Sequence, residues 1–141
     1  MNRKCTNLPF LVLMQTSKTV QEKMKVEMTK NNLSITEFSV LEVLYFKGKQ
    51  TIQQIGHRIL ISSGSMTYVI DRLEQKGLLT RSACPDDRRA IHVTLTDDGN
   101  DLMEHIMPIH QEWVDHMFSS LTSMESELFV ELLKKVNDKM V

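Results

Sequence analysis

Three observations predict a mainly α-helical chain with one small β-hairpin. Apolar residues recur at helical spacing through six separate stretches, the apolar period drops from 3.6 to 2 between about residues 79 and 95, and Gly, Pro, Asn and Ser clusters punctuate the changes. At 141 residues, with 41% hydrophobic and 25% charged side chains, the chain is long enough for one domain with a core and too apolar for extensive disorder. The longest early apolar run, Leu8 to Met14, contains Pro9, is too short to span a membrane, and is followed by no small-residue cleavage site. With only Cys5 and Cys84, a disulfide-stapled secreted domain is not expected, which leaves the cytoplasm and no membrane partner as the expectation.

Taken in order, Leu11, Met14, Val20, Met24 and Met28 mark a helix from about Leu8 to Lys30, closed by the turn-like Asn31-Asn32-Leu33-Ser34. Thr36 has the chemistry of an N-cap for a second helix, in which Phe38, Leu41, Glu42 and Tyr45 share a face and which Gly48 ends. A short third helix carries Ile52, Ile55 and Ile59 on one side. The polar break Ser62-Ser63-Gly64-Ser65 then leads to a fourth, with Met66, Val69, Ile70 and Leu73 at i, i+3, i+4 and i+7 and Gly77 at its exit. Two short helices joined by a tight polar turn form a helix-turn-helix.

After Gly77, Leu79 and Arg81 begin a strand, Pro85-Asp86-Asp87 mark a turn, and Ile91, Val93 and Leu95 alternate with Ala90, His92 and Thr94. A hairpin with a charged tip directly after a helix-turn-helix makes a winged helix. Thr96 or Asp97 caps a fifth helix to about Ser119, with Ile106, Ile109, His110, Trp113 and Met117 on one face and Pro108 as a possible kink. Thr122 or Ser123 caps a sixth, striped by Leu128, Leu132, Leu133, Val136 and Met140. The expected division is 1–35 for the N-terminal helix, 36–96 for the winged helix-turn-helix and 97–141 for the C-terminal helices.

Net charge is −1, but it is unevenly spread: residues 1–46 sum to +2, residues 47–92 to +4 and residues 93–141 to −7. A basic centre suits a polyanion, and an acidic tail suits solvent or a partner chain. Outward of the fourth helix's stripe lie Ser63, Ser65, Thr67, Tyr68, Arg72 and Gln75, and just before it Ser62. These side chains can hydrogen-bond phosphate oxygens or base edges, and a helix N-terminus favours phosphate. The plain alternative is an ordinary solvated face. At the hairpin tip Asp86-Asp87-Arg88-Arg89 is more charged than folding requires; Arg88 can enter a minor groove, while Asp87 and Arg89 can pair to stiffen the loop. A solubilising turn, or a wing that docks protein rather than DNA, stays open beside this reading.

The run PDDRRAIHVTLTDDG resembles the wing signature of the multiple-antibiotic-resistance (MarR) family of regulators, in which an Asp-x-Arg pair, here Asp87 and Arg89, precedes a strand ending in Leu-Thr. SSGSMTYVIDRLEQKGLL is similar to the family's recognition helix, and helix order and length match over essentially the whole chain. The resemblance implies a homodimer, held by its N- and C-terminal helices, that sets two winged helices over a pseudo-palindromic double-stranded DNA operator, with half-sites roughly 34–36 Å apart. ITEFSVLEVLYFKG and IQQIGHRILISSGSMTYV resemble most closely the family's repressors that answer to quinones and methylhydroquinone.

Such relatives bind small, often phenolic, molecules between the dimerisation helices and the winged helix. Glu42 and His110 each interrupt an apolar stripe, and with Phe10, Met14, Phe38 and Trp113 they are the candidates for holding an aromatic effector by its hydroxyls. The alternative places both at helix edges in water. A thiol switch at Cys84, beside the wing turn, or at Cys5 is the rival sensor. Asp101/His105 and Glu112/His116 are i, i+4 pairs, but no Cys-x-x-Cys or His-Glu-x-x-His accompanies them, so no metal is expected. With no glycine-rich phosphate loop and no Gly-x-Ser-x-Gly, neither an enzyme nor a cofactor is expected.

Overall fold

The computed structural model describes residues 7–59, 63–87 and 89–141. The elements run α1 (Leu8–Thr29), α2 (Ile35–Lys47), β1 (Gln50–Thr51), α3 (Ile52–Ile59), α4 (Ser63–Gln75), β2 (Leu79–Ala83), β3 (Ile91–Leu95), α5 (Asp97–Met117) and α6 (Ser123–Asp138). They divide into two compact units, Met1–Asn100 and Asp101–Val141.

Helix α1 starts where Asn7 accepts the Phe10 N–H at 2.9 Å, with Pro9 in the first turn, where no N–H is needed. It ends in a Schellman motif. Asn32 takes a positive φ of 58°, its N–H reaching the Thr29 carbonyl and the Leu33 N–H the Met28 carbonyl, both at 3.0 Å. Both Met28 and Leu33 are buried.

The N-cap of α2 is Ser34, not Thr36. Ser34 Oγ accepts from the Glu37 N–H at 3.0 Å, and Glu37 Oε1 accepts from the Ser34 N–H at 2.9 Å. This reciprocal box satisfies two donors at once, which a lone Thr36 cap would not, so the helix begins earlier than its apolar stripe suggests. Thr51 and Gln54 form the same kind of box at the start of α3, at 2.9 and 3.1 Å.

In the first unit the core is built by α2, α3 and α4 over the sheet. Phe38, Leu41, Ile55, Met66, Ile70, Leu73, Leu79 and Val93 are fully buried there. The α4 stripe expected from sequence is the buried one. The helix begins at Ser63, so it includes the polar residues 63–65. Among the described residues the sheet has three strands in the order β1-β3-β2, all antiparallel, with Gln50 opposite Val93 and Ala83 opposite Ile91. The hairpin was foreseen. The two-residue β1, too short to show a period, was not.

One threonine joins α4's exit to α5's entrance. Thr96 Oγ1 donates to the Gly77 carbonyl at 2.6 Å and accepts the Gly99 N–H at 3.0 Å, while the Thr96 N–H donates to the Leu78 carbonyl at 3.1 Å. Thr96, not Asp97, is therefore the cap. Gly77 turns the chain there with a φ of +74°, and a Cβ on Gly99 would collide with the Leu78 carbonyl oxygen.

In the second unit α5 continues through Pro108, and Met103, Ile106 and Met107 are its buried stripe. Ile109, expected on the buried face, is exposed, because apolar residues flank α5 on two sides and the sequence stripe was set one position too far round. Thr122 caps α6 through a box with Glu125. None of α6's residues is buried, although Leu128, Leu132, Leu133 and Val136 form the expected stripe.

Replacing Gly99 with Ala should cost about 1–3 kcal/mol, since the obstacle is backbone and cannot rotate away. Urea denaturation measures it; an unchanged midpoint would contradict so close an approach by Leu78.

Candidate nucleic-acid interface

Because Met66, Val69, Ile70 and Leu73 turn inward, α4 presents Ser65, Thr67, Tyr68, Arg72 and Gln75 on its open side; Ser65, Thr67 and Tyr68 are exposed, and Arg72 and Gln75 lie at or near the surface. Ser63 opens the helix; Ser62, like Arg88 and Cys5, lies outside the described residues. The Arg72 guanidinium stands 5.9 Å from the centre of the Tyr68 ring, one helical turn away, which stiffens two otherwise mobile side chains.

The wing tip is closed by main-chain geometry. The Cys84 N–H meets the Ala90 carbonyl and the Ala90 N–H the Asp87 carbonyl, each at 3.1 Å. Asp87 Oδ1 then accepts the Arg89 N–H at 2.9 Å. The Asp87/Arg89 pairing expected from sequence is thus made through the backbone of Arg89 rather than its guanidinium. Asp87 is an acceptor for the turn, and the exposed Arg89 side chain keeps its charge for the outside.

A second cluster was missed by sequence reasoning. Arg81, on β2, donates to Asp71 Oδ1 at 2.7 Å and to Glu74 Oε1 at 2.9 Å, and its N–H reaches Glu74 Oε2 at 3.2 Å. The hydrogen bond from Arg81, more than its charge, holds the Glu74 carboxyl below the usual carboxylate range against slight desolvation. The signal was present as carboxylates at i and i+3 on α4 followed seven residues later by an arginine on the strand. This cluster fixes the wing strand to α4 and occupies both of that helix's nearby carboxylates.

The far end of α4 is fixed by Lys76, whose ammonium donates to the Asn32 carbonyl at 2.6 Å and to Glu37 Oε2 at 2.8 Å. Burial alone would raise the Glu37 carboxyl, but Lys76 and the Ser34 N–H more than offset it, and the net direction is down.

The effector candidates fall in both units. In the first, Phe10 and Met14 are exposed on α1, Glu42 is half-buried on α2, and Phe38 is 0% exposed. Phe38 is therefore core, with no ring face left for a ligand. In the second, His110 and Trp113 are half-buried with their rings 5.9 Å apart. Cys84 is half-buried at the end of β2. Among the described residues no three His, Cys, Asp or Glu side chains gather as a metal site, and no helix is long and apolar enough to cross a membrane.

A helix-turn-helix followed by an antiparallel wing, with the second helix's polar face open and the wing tip carrying arginine, defines a winged-helix DNA-binding protein. The MarR family model matches residues 33–91. The HTH-type transcriptional regulator MhqR of Bacillus subtilis (strain 168) is 46% identical over 127 residues, covering 90% of this chain and 88% of that protein. The chain belongs to the MarR family and is a transcription regulator rather than an enzyme. Among solved structures, Bordetella bronchiseptica BpsR, described with the regulation of its DNA binding by 6-hydroxynicotinic acid, is 26% identical with a TM-score of 0.83, covering 98% of this chain and 99% of that one. A cysteine-to-serine mutant of E. coli MarR in complex with operator DNA has the same fold, at 24% identity and a TM-score of 0.81 over 92% of this chain and 94% of that one.

The lowered Glu37 carboxyl makes a pH prediction. A group held below its unfolded value stabilises fully above about pH 4.3, and that stability is lost as pH falls through the lowered folded value. Glu37→Gln should cost about 1–3 kcal/mol at neutral pH. Its melting temperature should converge on that of the parent in acid; profiles that stay parallel would show that the pair adds nothing pH-dependent.

Proposed function

We propose that this protein is a cytoplasmic, homodimeric repressor that binds a pseudo-palindromic double-stranded DNA operator and releases it when a small phenolic or quinone-like molecule binds. The observation that carries the DNA half is the open polar face of α4 in the same unit as a main-chain-braced wing tip that bears the exposed Arg89. Ser62, Ser63, Ser65, Thr67, Tyr68 and Arg72 address the major groove, and Arg88 and Arg89 the minor groove, with Asp87 holding the loop.

The homodimer is supported by the apolar surface of the terminal helices. Helix α6 buries nothing in the protomer while Leu132 and Val136 stand 49% and 51% exposed, and α1 leaves Leu8, Phe10, Leu11, Val12, Leu13 and Met14 in water. Such stripes are costly unless a second chain covers them. A groove of about 410 Å³ on the second unit, lined by Phe118, Phe129, Val130 and Leu133, is shaped to take apolar side chains of a partner.

For the effector, the first unit offers Glu42 as an acceptor for a ring hydroxyl with Phe10 and Met14 as apolar contacts, and the second offers the His110 imidazole beside Trp113. The resemblance of residues 35–48 and 52–69 to quinone-responsive repressors supports that chemistry, as does the small aromatic acid named with BpsR.

Duplex binding should fall steeply with salt, and Arg89→Ala should lower affinity while leaving the fold intact. Absence of binding to any duplex at low salt would reject the DNA reading. Glu42→Gln and His110→Ala should each bind DNA normally yet fail to release it with hydroquinones; unchanged release in both would reject the effector site. Sedimentation of a Leu132→Asp/Val136→Asp double variant should give a monomer, and a stable dimer would place the interface elsewhere.

A further inference from the structure

The first unit carries a further concentration of positive charge that extends from Arg72, at the margin of α4's open face, to α1. A cleft of about 350 Å³ lies between the last turns of α1 (Lys25, Thr29), the turn through Asn32 to Ser34, and the residues Arg72 of α4 and Lys76 just beyond it. Among the described residues its one carboxylate, Glu37, is matched by Lys76 at 2.8 Å, so the charge left over is that of Lys25 and Arg72. Neither makes an ion pair among the described residues. Lys76 spends two of its three ammonium protons on Asn32 and Glu37 and keeps one.

Two uncompensated cations around a concavity whose floor includes the buried Leu33 focus a positive potential into it. The positive end of the 13-residue helix α2, whose first residue Ile35 also lines the cleft, adds to that field. The ligand chemistry is therefore an oxyanion. Its source follows from Arg72, which rises from the open face of α4 against Tyr68. An oxyanion held by Arg72 adjoins any duplex that α4 addresses, and a duplex offers one phosphate charge per about 1.7 Å of its axis.

We infer that this cleft seats a backbone phosphate of the operator duplex between Lys25 of α1 and Arg72 of α4, making α1 part of the DNA-contacting surface. The inference rests on the DNA-binding reading of α4. It adds a contact that positions the protein without reading sequence.

Fluorescence anisotropy with an operator duplex, between about 50 and 200 mM salt, tests it on the parent protein and on Lys25→Gln. The variant removes one contact from each protomer of the proposed dimer, so it should reduce the slope of log K against log salt by about 1.8 and weaken binding about fivefold per contact, equally on operator and scrambled duplex. Lys23→Gln, about 200° around α1 from Lys25, is the control for diffuse charge and should leave both unchanged. Equal losses in Lys23→Gln and Lys25→Gln overturn the site in favour of a general field. Parent protein that binds with a steep salt slope, beside a Lys25→Gln variant identical to it, overturns the cleft alone. Failure of the parent to bind any duplex overturns the DNA reading with it. Thermal stabilisation of the parent by inorganic phosphate, with Lys25→Gln neutral toward duplex, assigns the cleft to a free oxyanion and equally overturns the proposal.

Discussion

The carboxylate of Glu37 is the joint on which the first unit turns. One oxygen completes the capping box that starts α2, and the other receives the ammonium at the end of α4. A local device for starting a helix is thereby also the long-range tie between two residues 39 apart in sequence. The same ammonium holds the Asn32 carbonyl, so the left-handed turn out of α1, the start of α2 and the end of α4 share one polar knot. Partial burial is what gives the knot weight, because a fully solvated ion pair contributes little.

A second knot, at Thr96, performs the complementary task on the other side of α4. Its hydroxyl is donor to Gly77 and acceptor from Gly99, so a single side chain ends one helical region and begins another. Between these knots α4 has little freedom to tilt. That rigidity suits the groove contact proposed for α4's polar side chains, since loose side chains lose entropy on every contact they make.

Much of this was legible in the amino-acid order. The α4 stripe of Met66, Val69, Ile70 and Leu73 reads directly as buried because four apolar residues at helical spacing stand among polar ones. The hairpin reads from its change of period. Helix α5 was harder, since Met103, Ile109 and Trp113 offer apolar residues on more than one side and only packing decides between Met103 and Ile109. Phe38 looked available to a ligand because an aromatic residue near a polar one suits both a pocket and a core, and spacing does not separate the two. Ser34 was overlooked as a cap although Ser-x-x-Glu was present, and Arg81 because its partners Asp71 and Glu74 lie on a different element. Pairings across elements are set by the fold, and one-dimensional order contains them only as possibilities.

The Arg81 cluster shapes how the protein responds to its ionic surroundings. Asp71 and Glu74 are anions on the helix proposed to approach a polyanion, and bare they would repel it. Arg81 acts as a counterion built into the fold, present at a fixed place whatever the salt outside. One arginine offsets one of the two carboxylate charges, so fewer dissolved cations are held there to be exchanged in the proposed DNA contact. On the proposed DNA contact, the ionic sensitivity of binding then comes mainly from Arg72 and Arg89, which make no ion pair among the described residues, with a reduced background from α4's own acids.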